Sequence, residues 1–515
     1  MRRREFLSGV GSAALLRTGR AGEKSATPSP AGARPNIIFF MTDQQRWDAL
    51  GVFNSRIKTP NLDRLAREGV AYRHATCQAP MCIPSRNSMM FGLYPSQLGI
   101  RSNGSHSLGD SFLPFDPMPV QLRRAGYQTA GFGKTHWGTM DETPSTRGFQ
   151  VRVVGSISEG KEQGAKYWEI EDPEGWAAYQ RETADYGPGE EGVAGYIGCT
   201  SALPEPHNRD GWLAEQCLKF LESGVDPQRP LFLYLSFIRP HAGYNVPKEF
   251  EDLYRIDEIP DIPQPPWPEE PGTHLAYCDR TNSFLGGRYR QWRAAWSRMT
   301  PAERRRTTLR YYAHCSWMDH CFGRALERLQ ALGRLENALI VFTSDHGEML
   351  SERNFRFSKY CLYESSVRVP IILSGSAVPA QRRGVVDERP AELVDLLPAV
   401  LGAAGANVPA GAQGYDLLSE PRRQASFCEF HDAGAPAYMW RTPDWKLILF
   451  MDRPLAEAGG HLNEARGELY DLRADPHEWN NLYDAAAQAS VREELKTQLL
   501  MHLACMSAAY PIGRG

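Results

Sequence analysis

The sequence predicts an α/β fold: a large, mixed, mostly parallel sheet sandwiched by helices, with a smaller antiparallel sheet near the C-terminus. Four continuous apolar runs have the length and pattern of strands buried on both faces, which is typical of parallel sheets. Amphipathic stretches separate these runs, as in an α/β sandwich. Past residue 425 the pattern changes to short runs joined by a tight turn, which predicts a small antiparallel unit.

Each of the four apolar runs stops at a polar residue that can do chemistry. The runs and the residues that follow them are 36–42 with Asp43, 128–133 with Lys134, 231–238 with Arg239-Pro240-His241, and 338–344 with Asp345. Ligands of α/β sheets bind at the carboxyl ends of strands. We therefore expect these polar side chains to meet at one edge of the sheet.

Helices and C-terminal strands are predicted from shorter signals. A Pro near the start and a Gly at the end mark a helix within 59–69. The remaining predicted elements are helices over 301–332 and 391–404, a hairpin over 437–450, a strand at 468–472 and a terminal helix. The predicted organisation is a leader and linker over 1–34, a catalytic domain over 35–424 and a C-terminal subdomain over 425–515.

The composition is that of a globular protein without a membrane anchor. Of 515 residues, 42% are hydrophobic and 23% charged, and no apolar run reaches the roughly 18 residues that span a bilayer. Residues 1–34 carry seven Lys/Arg and two Asp/Glu, which leaves the rest of the chain at a formal net charge of −8. That acidic body argues against nucleic acid as a partner.

The basic N-terminus resembles a twin-arginine export signal. Arg3 and Arg4 stand before Glu-Phe-Leu, and a short, weakly apolar segment follows. We therefore predict a periplasmic or extracellular protein. The alternative is a solvated basic tail.

Cys82 is the residue whose chemistry decides the function. With Cys77 it forms a Cys-x4-Cys pair, outside the usual zinc spacing and without a second Cys/His pair nearby, and a disulfide between the two would close a very small loop. A buried, inert cysteine is the main structural alternative. Pro84 in the first turn of a probable helix would instead place Cys82 at a helix N-terminus, with Arg86 one turn on, which suits an anion.

The stretch 82–86, Cys-Ile-Pro-Ser-Arg, followed by Gly92, resembles the signature of type I sulfatases, members of the alkaline-phosphatase-like superfamily. Further blocks resemble that family in the expected order along nearly the whole chain. They are 41–46 (Met-Thr-Asp-Gln-Gln-Arg), 133–138 (Gly-Lys-Thr-His-Trp-Gly), 239–241 (Arg-Pro-His), 343–350 (Thr-Ser-Asp-His-Gly-Glu-Met-Leu), 359–364 (Lys-Tyr-Cys-Leu-Tyr-Glu) and 468–482.

The resemblance implies that Cys82 is converted to Cα-formylglycine (3-oxoalanine) by a maturation enzyme. One hydroxyl of the hydrated aldehyde would attack sulfur and expel the alcohol, and the second would lose its proton so that sulfate is eliminated. By the same resemblance, Arg86 and Lys134 would hold the diol and sulfate, and His136 would bond the diol. His241 and Lys359 would face the ester oxygen, where one protonates the leaving alcohol.

The resemblance also implies one divalent metal, with Asp43, Gln44, Asp345 and His346 as its protein ligands. Oxygen donors suit a hard cation, so Ca²⁺ is the first expectation. Gln44 stands where many family members have Asp, and His346 where many have Asn, which leaves Mn²⁺ open. The same pairing resembles phosphonate monoester hydrolases, the second functional hypothesis. An inactive glycan- or anion-binding protein is the third, and no lost catalytic residue supports it.

The substrate class is weakly encoded. Tryptophans in loop-rich segments could stack on sugar rings or pack the loops themselves. They are Trp168, Trp176, Trp212, Trp267, Trp292 and Trp296. A sulfated carbohydrate is the first expectation, and a small aryl or choline sulfate the second.

Overall fold

A computed structural model describes residues 34–104, 115–137, 146–157, 162–184, 197–280, 284–419, 423–432, 435–451 and 466–508. The export signal predicted over 1–34 lies almost wholly outside these residues and stays a prediction, as do the bounds of the three predicted segments. Among the described residues, no helix combines the length and the apolar character that crossing a membrane requires.

A nine-stranded mixed sheet forms the centre of the molecule, in the order β11-β2-β10-β9-β1-β7-β3-β4-β5. Only β10 runs antiparallel to its two neighbours, while the other pairings in this sheet are parallel. Its strands are β1 (Asn36–Asp43), β2 (Val70–Thr76), β3 (Gln128–Gly133), β4 (Val151–Val154), β5 (Lys166–Tyr167), β7 (Leu231–Pro240), β9 (Ala338–Ser344), β10 (Ile371–Ser374) and β11 (Val385–Glu392). This sheet confirms the predicted mostly parallel architecture.

Ten helices of seven residues or more accompany the described strands. They are α1 (Pro60–Glu68), α2 (Cys82–Phe91), α3 (Met118–Arg124), α4 (Pro173–Ala184), α5 (Arg209–Ser223), α6 (His274–Arg280), α7 (Phe284–Arg298), α8 (Pro301–Ala331), α9 (Leu396–Ala403) and α10 (Ala489–Ala508). Four-residue helices lie at Pro95–Leu98, Trp168–Glu171, Lys248–Glu251, Glu352–Phe355 and Glu364–Val367. The α8 helix confirms the helix predicted over 301–332, and a capping box between Thr300 and Glu303 precedes it.

A four-stranded antiparallel sheet, β12-β13-β14-β15, lies near the C-terminus and confirms the predicted smaller unit. Its strands are β12 (Ser426–Asp432), β13 (Ala435–Arg441), β14 (Trp445–Phe450) and β15 (Arg466–Asp471). The short parallel pair β6 (Cys199–Ser201) and β8 (Asn245–Pro247) completes the described strands.

The helix predicted over 391–404 is wrong at its start. Residues to Glu392 belong to β11, Leu393–Asp395 form a 3₁₀ turn, and α9 begins only at Leu396. The Asp395 carboxylate accepts a hydrogen bond from the Glu392 backbone N–H at 2.8 Å, which ends the strand before the helix begins. An apolar periodicity cannot show such a local side-chain bond.

Candidate active site

The α2 helix begins at Cys82, as the sequence predicts. Pro84 lies in its first turn, and its C-terminus is capped by Gly92, whose φ of 63° is left-handed and whose N–H bonds the Ser88 carbonyl. A Cβ at Gly92 would lie 2.7 Å from Leu397, so the close packing also favours glycine. Cys82 is only 3% exposed, at the buried N-terminal end of the helix.

The carboxyl ends of the central strands bring the predicted polar residues to this helix end. Asp43 is the last residue of β1, Asp345 and His346 follow β9 directly, and Lys134 follows β3. Donor atoms of Asp43, Cys82, Asp345 and His346 all lie within 4.8 Å of one another, and all four side chains are buried. The structure therefore brings together at one point residues that lie up to about three hundred positions apart.

Arg86 lies between the two carboxylates. Its Nε donates to Asp345 Oδ2 at 2.7 Å, and its terminal nitrogens donate to Asp43 Oδ2 at 3.1 Å and to the Lys134 carbonyl at 3.0 Å. The remaining acceptors are the Tyr234 and Ser236 hydroxyls. This guanidinium thus aligns both carboxylates, a contact that the sequence did not predict.

The second oxygens of these carboxylates face His346. Its Nε2 lies 3.6 Å from Asp345 Oδ1, 4.0 Å from Asp43 Oδ1 and 3.2 Å from Cys82 Sγ. Its Nδ1 lies 3.0 Å from the Gly347 carbonyl, which can only accept, so Nδ1 carries the proton. That tautomer leaves the Nε2 lone pair pointing into the cluster.

Gln44 is oriented in the same sense. Its amide nitrogen donates to the Glu348 carboxylate, so its Oε1 faces the cluster and accepts from Lys359 Nζ at 2.9 Å. Gln44 has a positive φ of 66°, and its backbone N–H bonds Asp345 Oδ1 at 3.0 Å. Three oxygen donors and one imidazole nitrogen therefore converge, a set that fits a hard or borderline divalent cation.

Two lysines give the site its positive charge. Lys134 Nζ pairs with Asp43, and Lys359 Nζ lies 3.2 Å from Cys82 Sγ. Burial alone would raise the pKa of Asp43, but the positive charges of Lys134, Arg86 and Lys359 hold it well below its usual value. Burial and Asp43 likewise oppose ionisation of the Cys82 thiol, yet the positive charges of Lys134 and Lys359 lower its pKa. The site thus favours an anion at position 82.

The two remaining predicted histidines are neutral. Burial and the nearby Lys134 hold the pKa of His136 well below its usual value, and burial and Lys359 do the same for His241. His136 has a positive φ of 52°, and its buried Nδ1 has no hydrogen-bond partner among the described residues. His241 Nδ1 lies 3.3 Å from the Ala242 carbonyl.

Three residues that position the site were not predicted from the sequence. Glu348 accepts from Gln44 and from the backbone N–H of Leu350 at 2.9 Å. Glu162 accepts from the Thr135 hydroxyl, between Lys134 and His136, at 2.9 Å. The Tyr234 hydroxyl donates to the Lys134 carbonyl at 2.9 Å. Glu348 lies inside the family-like block 343–350, so its position could have indicated a role. Glu162 and Tyr234 lie in no such block.

Other candidates have structural roles. Cys77 is a buried free thiol, and Arg239 donates to the His241 carbonyl at 3.2 Å and to Asn245 at 2.6 Å. Trp168 is fully buried against Trp176 and Trp212, and Trp296 stacks on Phe357. These four tryptophan rings pack against other parts of the protein, whereas the side chain of Trp292 lies outside the described residues.

The large, mostly parallel sheet and the separate four-stranded antiparallel sheet define this protein's class of fold, which is alkaline-phosphatase-like. Its structure resembles a phosphonate monoester hydrolase of Agrobacterium radiobacter with a TM-score of 0.70 at 23% identity, over 92% of this chain and 96% of that one. At that identity the likeness speaks for the fold. Finer assignment comes from the sequence comparisons.

The chain belongs to the Sulfatase family, whose model matches residues 35–406. A second model, N-sulphoglucosamine sulphohydrolase, C-terminal, matches residues 352–504. An arylsulfatase of Clostridium perfringens is 26% identical over 93% of this chain and 96% of its own. An N-acetylglucosamine-6-O-sulfatase of Bacteroides thetaiotaomicron is 28% identical over 90% of this chain and 85% of its own. The protein is thus an enzyme of the sulfuric ester hydrolase class.

Proposed function

We propose that this enzyme hydrolyses a sulfate monoester of a carbohydrate with a formylglycine nucleophile, formed from Cys82 by a maturation enzyme, and one divalent metal ion. The observation that carries the proposal is the surroundings of Cys82. Its Sγ lies 3.2 Å from His346 Nε2 and 3.2 Å from Lys359 Nζ. It belongs to a buried group, with Asp43, Asp345 and His346, whose donor atoms could hold a metal ion. We further propose export by the N-terminal signal, so that the enzyme meets its substrate outside the cytoplasm.

Asp43, Gln44, Asp345 and His346 would hold the metal, with Ca²⁺ as the first candidate and Mn²⁺ as the second. The orientation of the Gln44 amide by Glu348 and of the His346 ring by Gly347 supports this ligand set. When bound, the cation would act as a Lewis acid toward the sulfate oxygens and favour ionisation of the nucleophile.

A hydrated aldehyde at position 82 would supply an oxygen nucleophile together with an internal route for sulfate elimination. Around it, the chain's own residues neutralise charge. Lys134 and Arg86 contribute positive charge beside Asp43, and the unpartnered Nδ1 of His136 is available to bond an oxygen of the diol or of the substrate.

Lys359 is better suited than His241 to protonate the leaving alcohol. In the unmodified chain, burial would lower the pKa of Lys359, but Cys82, Tyr360, Asp43 and Asp345 raise it. The two carboxylates remain after conversion of Cys82, so the ammonium keeps its proton at neutral pH. His241 is neutral there because burial and Lys359 lower its pKa. An alkoxide is more basic than a lysine amine, so transfer from Nζ to the ester oxygen runs downhill.

Mass spectrometry of the Cys82 peptide from active, natively expressed enzyme tests the proposed nucleophile. We expect the mass of the aldehyde or its hydrate. Active material that carries only the thiol would refute the formylglycine mechanism.

Phosphonate monoester or phosphodiester hydrolysis is the second candidate, favoured by Gln44 and His346 in the ligand set. One preparation should be assayed with 4-nitrophenyl sulfate, a 6-O-sulfated aminosugar and a phenyl phosphonate monoester. We expect the highest kcat/KM for a sulfate ester. A higher kcat/KM for the phosphonate would reverse the order of the two candidates.

A further inference from the structure

The segment from Lys359 to Glu364 belongs to neither sheet, yet it is buried throughout. Ser358 and Tyr360, which flank Lys359, have positive φ values of 69° and 78°. Residues with a Cβ populate such conformations sparsely, so the surroundings must impose them. The contacts that do so decide where the Lys359 ammonium lies.

The four-stranded sheet, the residues after it and the start of α6 bond the backbone just beyond Lys359. Lys446 of β14 donates from Nζ to the Leu362 carbonyl at 3.1 Å. Glu478 accepts the Glu364 N–H at 2.7 Å. His274 Nε2 accepts the Leu362 N–H at 3.1 Å, and Glu468 of β15 holds that ring through its Nδ1 at 2.7 Å.

Side-chain pairs fasten the same segment. Arg441 of β13 binds the Glu364 carboxylate with two hydrogen bonds of 2.9 Å, and Lys446 Nζ lies 2.8 Å from its Oε1. The Tyr363 hydroxyl donates to Glu468 at 2.8 Å. A buried bidentate pair such as Arg441–Glu364 fixes orientation as well as distance.

We infer that the four-stranded sheet, together with His274 of α6 and Glu478, is a positioning device for Lys359. By fixing the backbone at Leu362 and Glu364, it would hold the ammonium at 3.2 Å from Cys82 Sγ and 2.9 Å from Gln44 Oε1. The positioning residues are His274, Tyr363, Arg441, Lys446, Glu468 and Glu478. This inference rests on the proposed function, in which Lys359 protonates the leaving alcohol.

His274→Ala in the matured full-length enzyme tests the inference, because it removes the acceptor of the Leu362 N–H. A displaced Lys359 matters most when the leaving group is basic. We expect kcat/KM to fall about 10-fold or more for a sugar or alkyl sulfate and less than about 3-fold for 4-nitrophenyl sulfate. His274→Gln, which can accept from Leu362 and donate to Glu468, should restore most of the activity.

Trp440→Phe is the matched control. Trp440 lies on β13 of the same sheet, but its Nε1 donates to Gln498 of α10 at 2.9 Å, away from the Lys359 segment. We expect this variant to change kcat/KM equally for both substrates. Equal losses for the two leaving groups in His274→Ala would overturn the inference. If that variant does not fold, Tyr363→Phe carries the same test.

Hydrogen exchange provides a readout that does not depend on activity. In His274→Ala, the amides of Leu362 and Glu364 should exchange at least about 10-fold faster, while they should not change in Trp440→Phe. Unchanged exchange in His274→Ala would also overturn the inference. If the wild-type enzyme hydrolysed no sulfate ester, the proposed function would fail, and the exchange result would still decide whether His274, held by Glu468 of the sheet, fixes this segment.

Discussion

The two sheets contribute to the site in different ways. The nine-stranded sheet carries reactive side chains directly at its strand ends, where Asp43, Lys134 and Asp345 emerge from β1, β3 and β9. Among the described residues, the four-stranded sheet supplies none of the ten candidate site side chains, but it bonds the segment that carries Lys359. Backbone ladders place the first group, whereas side-chain hydrogen bonds and ion pairs place the second. The two groups should therefore respond differently to mutation.

The largest effect is expected at a strand end. Asp43→Ala removes a ligand candidate and leaves Arg86 and Lys134 without a shared carboxylate in a buried site. We expect kcat/KM to fall by more than about 10³-fold, the free energy of unfolding to fall by about 3–5 kcal/mol, and bound metal to be lost.

Asp257→Ala is the control for that variant, since Asp257 is exposed and pairs with Arg255 at the surface. Steady-state kinetics, urea unfolding and metal analysis give the three readouts. Full metal occupancy in Asp43→Ala would contradict its assignment as a ligand.

The next largest effect is expected at Lys359. Lys359→Met removes the proton donor while keeping the length of the side chain, and we expect kcat/KM for an alkyl sulfate to fall by about 10²–10³-fold. For 4-nitrophenyl sulfate, which needs little protonation, the loss should be at least about 10-fold smaller. A plot of log kcat/KM against the pKa of the leaving group measures this, and parallel plots for variant and wild type would contradict the role.

A smaller effect is expected where the large sheet itself needs a side-chain support. Glu162 accepts from Thr135 at 2.9 Å and from Arg152 at 2.8 Å, and so holds the loop between Lys134 and His136. Glu162→Gln should lower kcat/KM by about 10-fold, because a positioning error at this loop weakens transition-state contacts. Unlike Lys359→Met, it should act equally on good and poor leaving groups. A strong dependence on the leaving group would contradict this role, because it would indicate that the loop acts on the leaving alcohol.

The smallest effect is a pH dependence confined to the second region. Burial raises the pKa of Glu478 to about 7, with Lys446 opposing and Glu364 adding to the shift. Because the folded-state pKa lies above the unfolded value of about 4.5, its contribution to stability is fully present below pH 4.5 and lost as the pH rises through 7. Relative to Glu478→Gln, the wild-type free energy of unfolding should fall by about 1–3 kcal/mol between pH 4.5 and 8. Urea titrations at several pH values measure the difference, and parallel curves would contradict it.

Sequence patterns predicted the site residues whose position follows from the course of the backbone. The apolar runs that stop at Asp43, Lys134 and Asp345 end as strands within two residues of the predicted points. A buried parallel strand is a continuous run of apolar residues, so the point where it ends can be read from the sequence. The N-terminus of α2 at Cys82 could be predicted for a similar reason, from Pro84 and Gly92.

Side chains that support others could not be found in the same way. Glu162 has no motif around it, and the resemblance over 468–482 assigns no role to Glu468 or Glu478, whose partners His274 and Lys446 lie 194 and 32 positions away. Their burial is paid for by partners such as Arg152, His274 and Lys446, which no local pattern reveals. The tryptophans illustrate the reverse case, because Trp168 and Trp296 looked available for sugars but lie fully within the protein.

The last strands of the chain bond the segment that carries Lys359, and this has a consequence for biosynthesis. A ribosome completes β1, α2, β3 and β9 well before it makes Arg441, Lys446, Glu468 and Glu478. During that interval the anion-binding side of the site can be present while the lysine segment still lacks its supports. A chain released early, before β13, should fold part of its sheet and yet lack the leaving-group side of the site. Completion of the chain is thus the last step in assembling the active site.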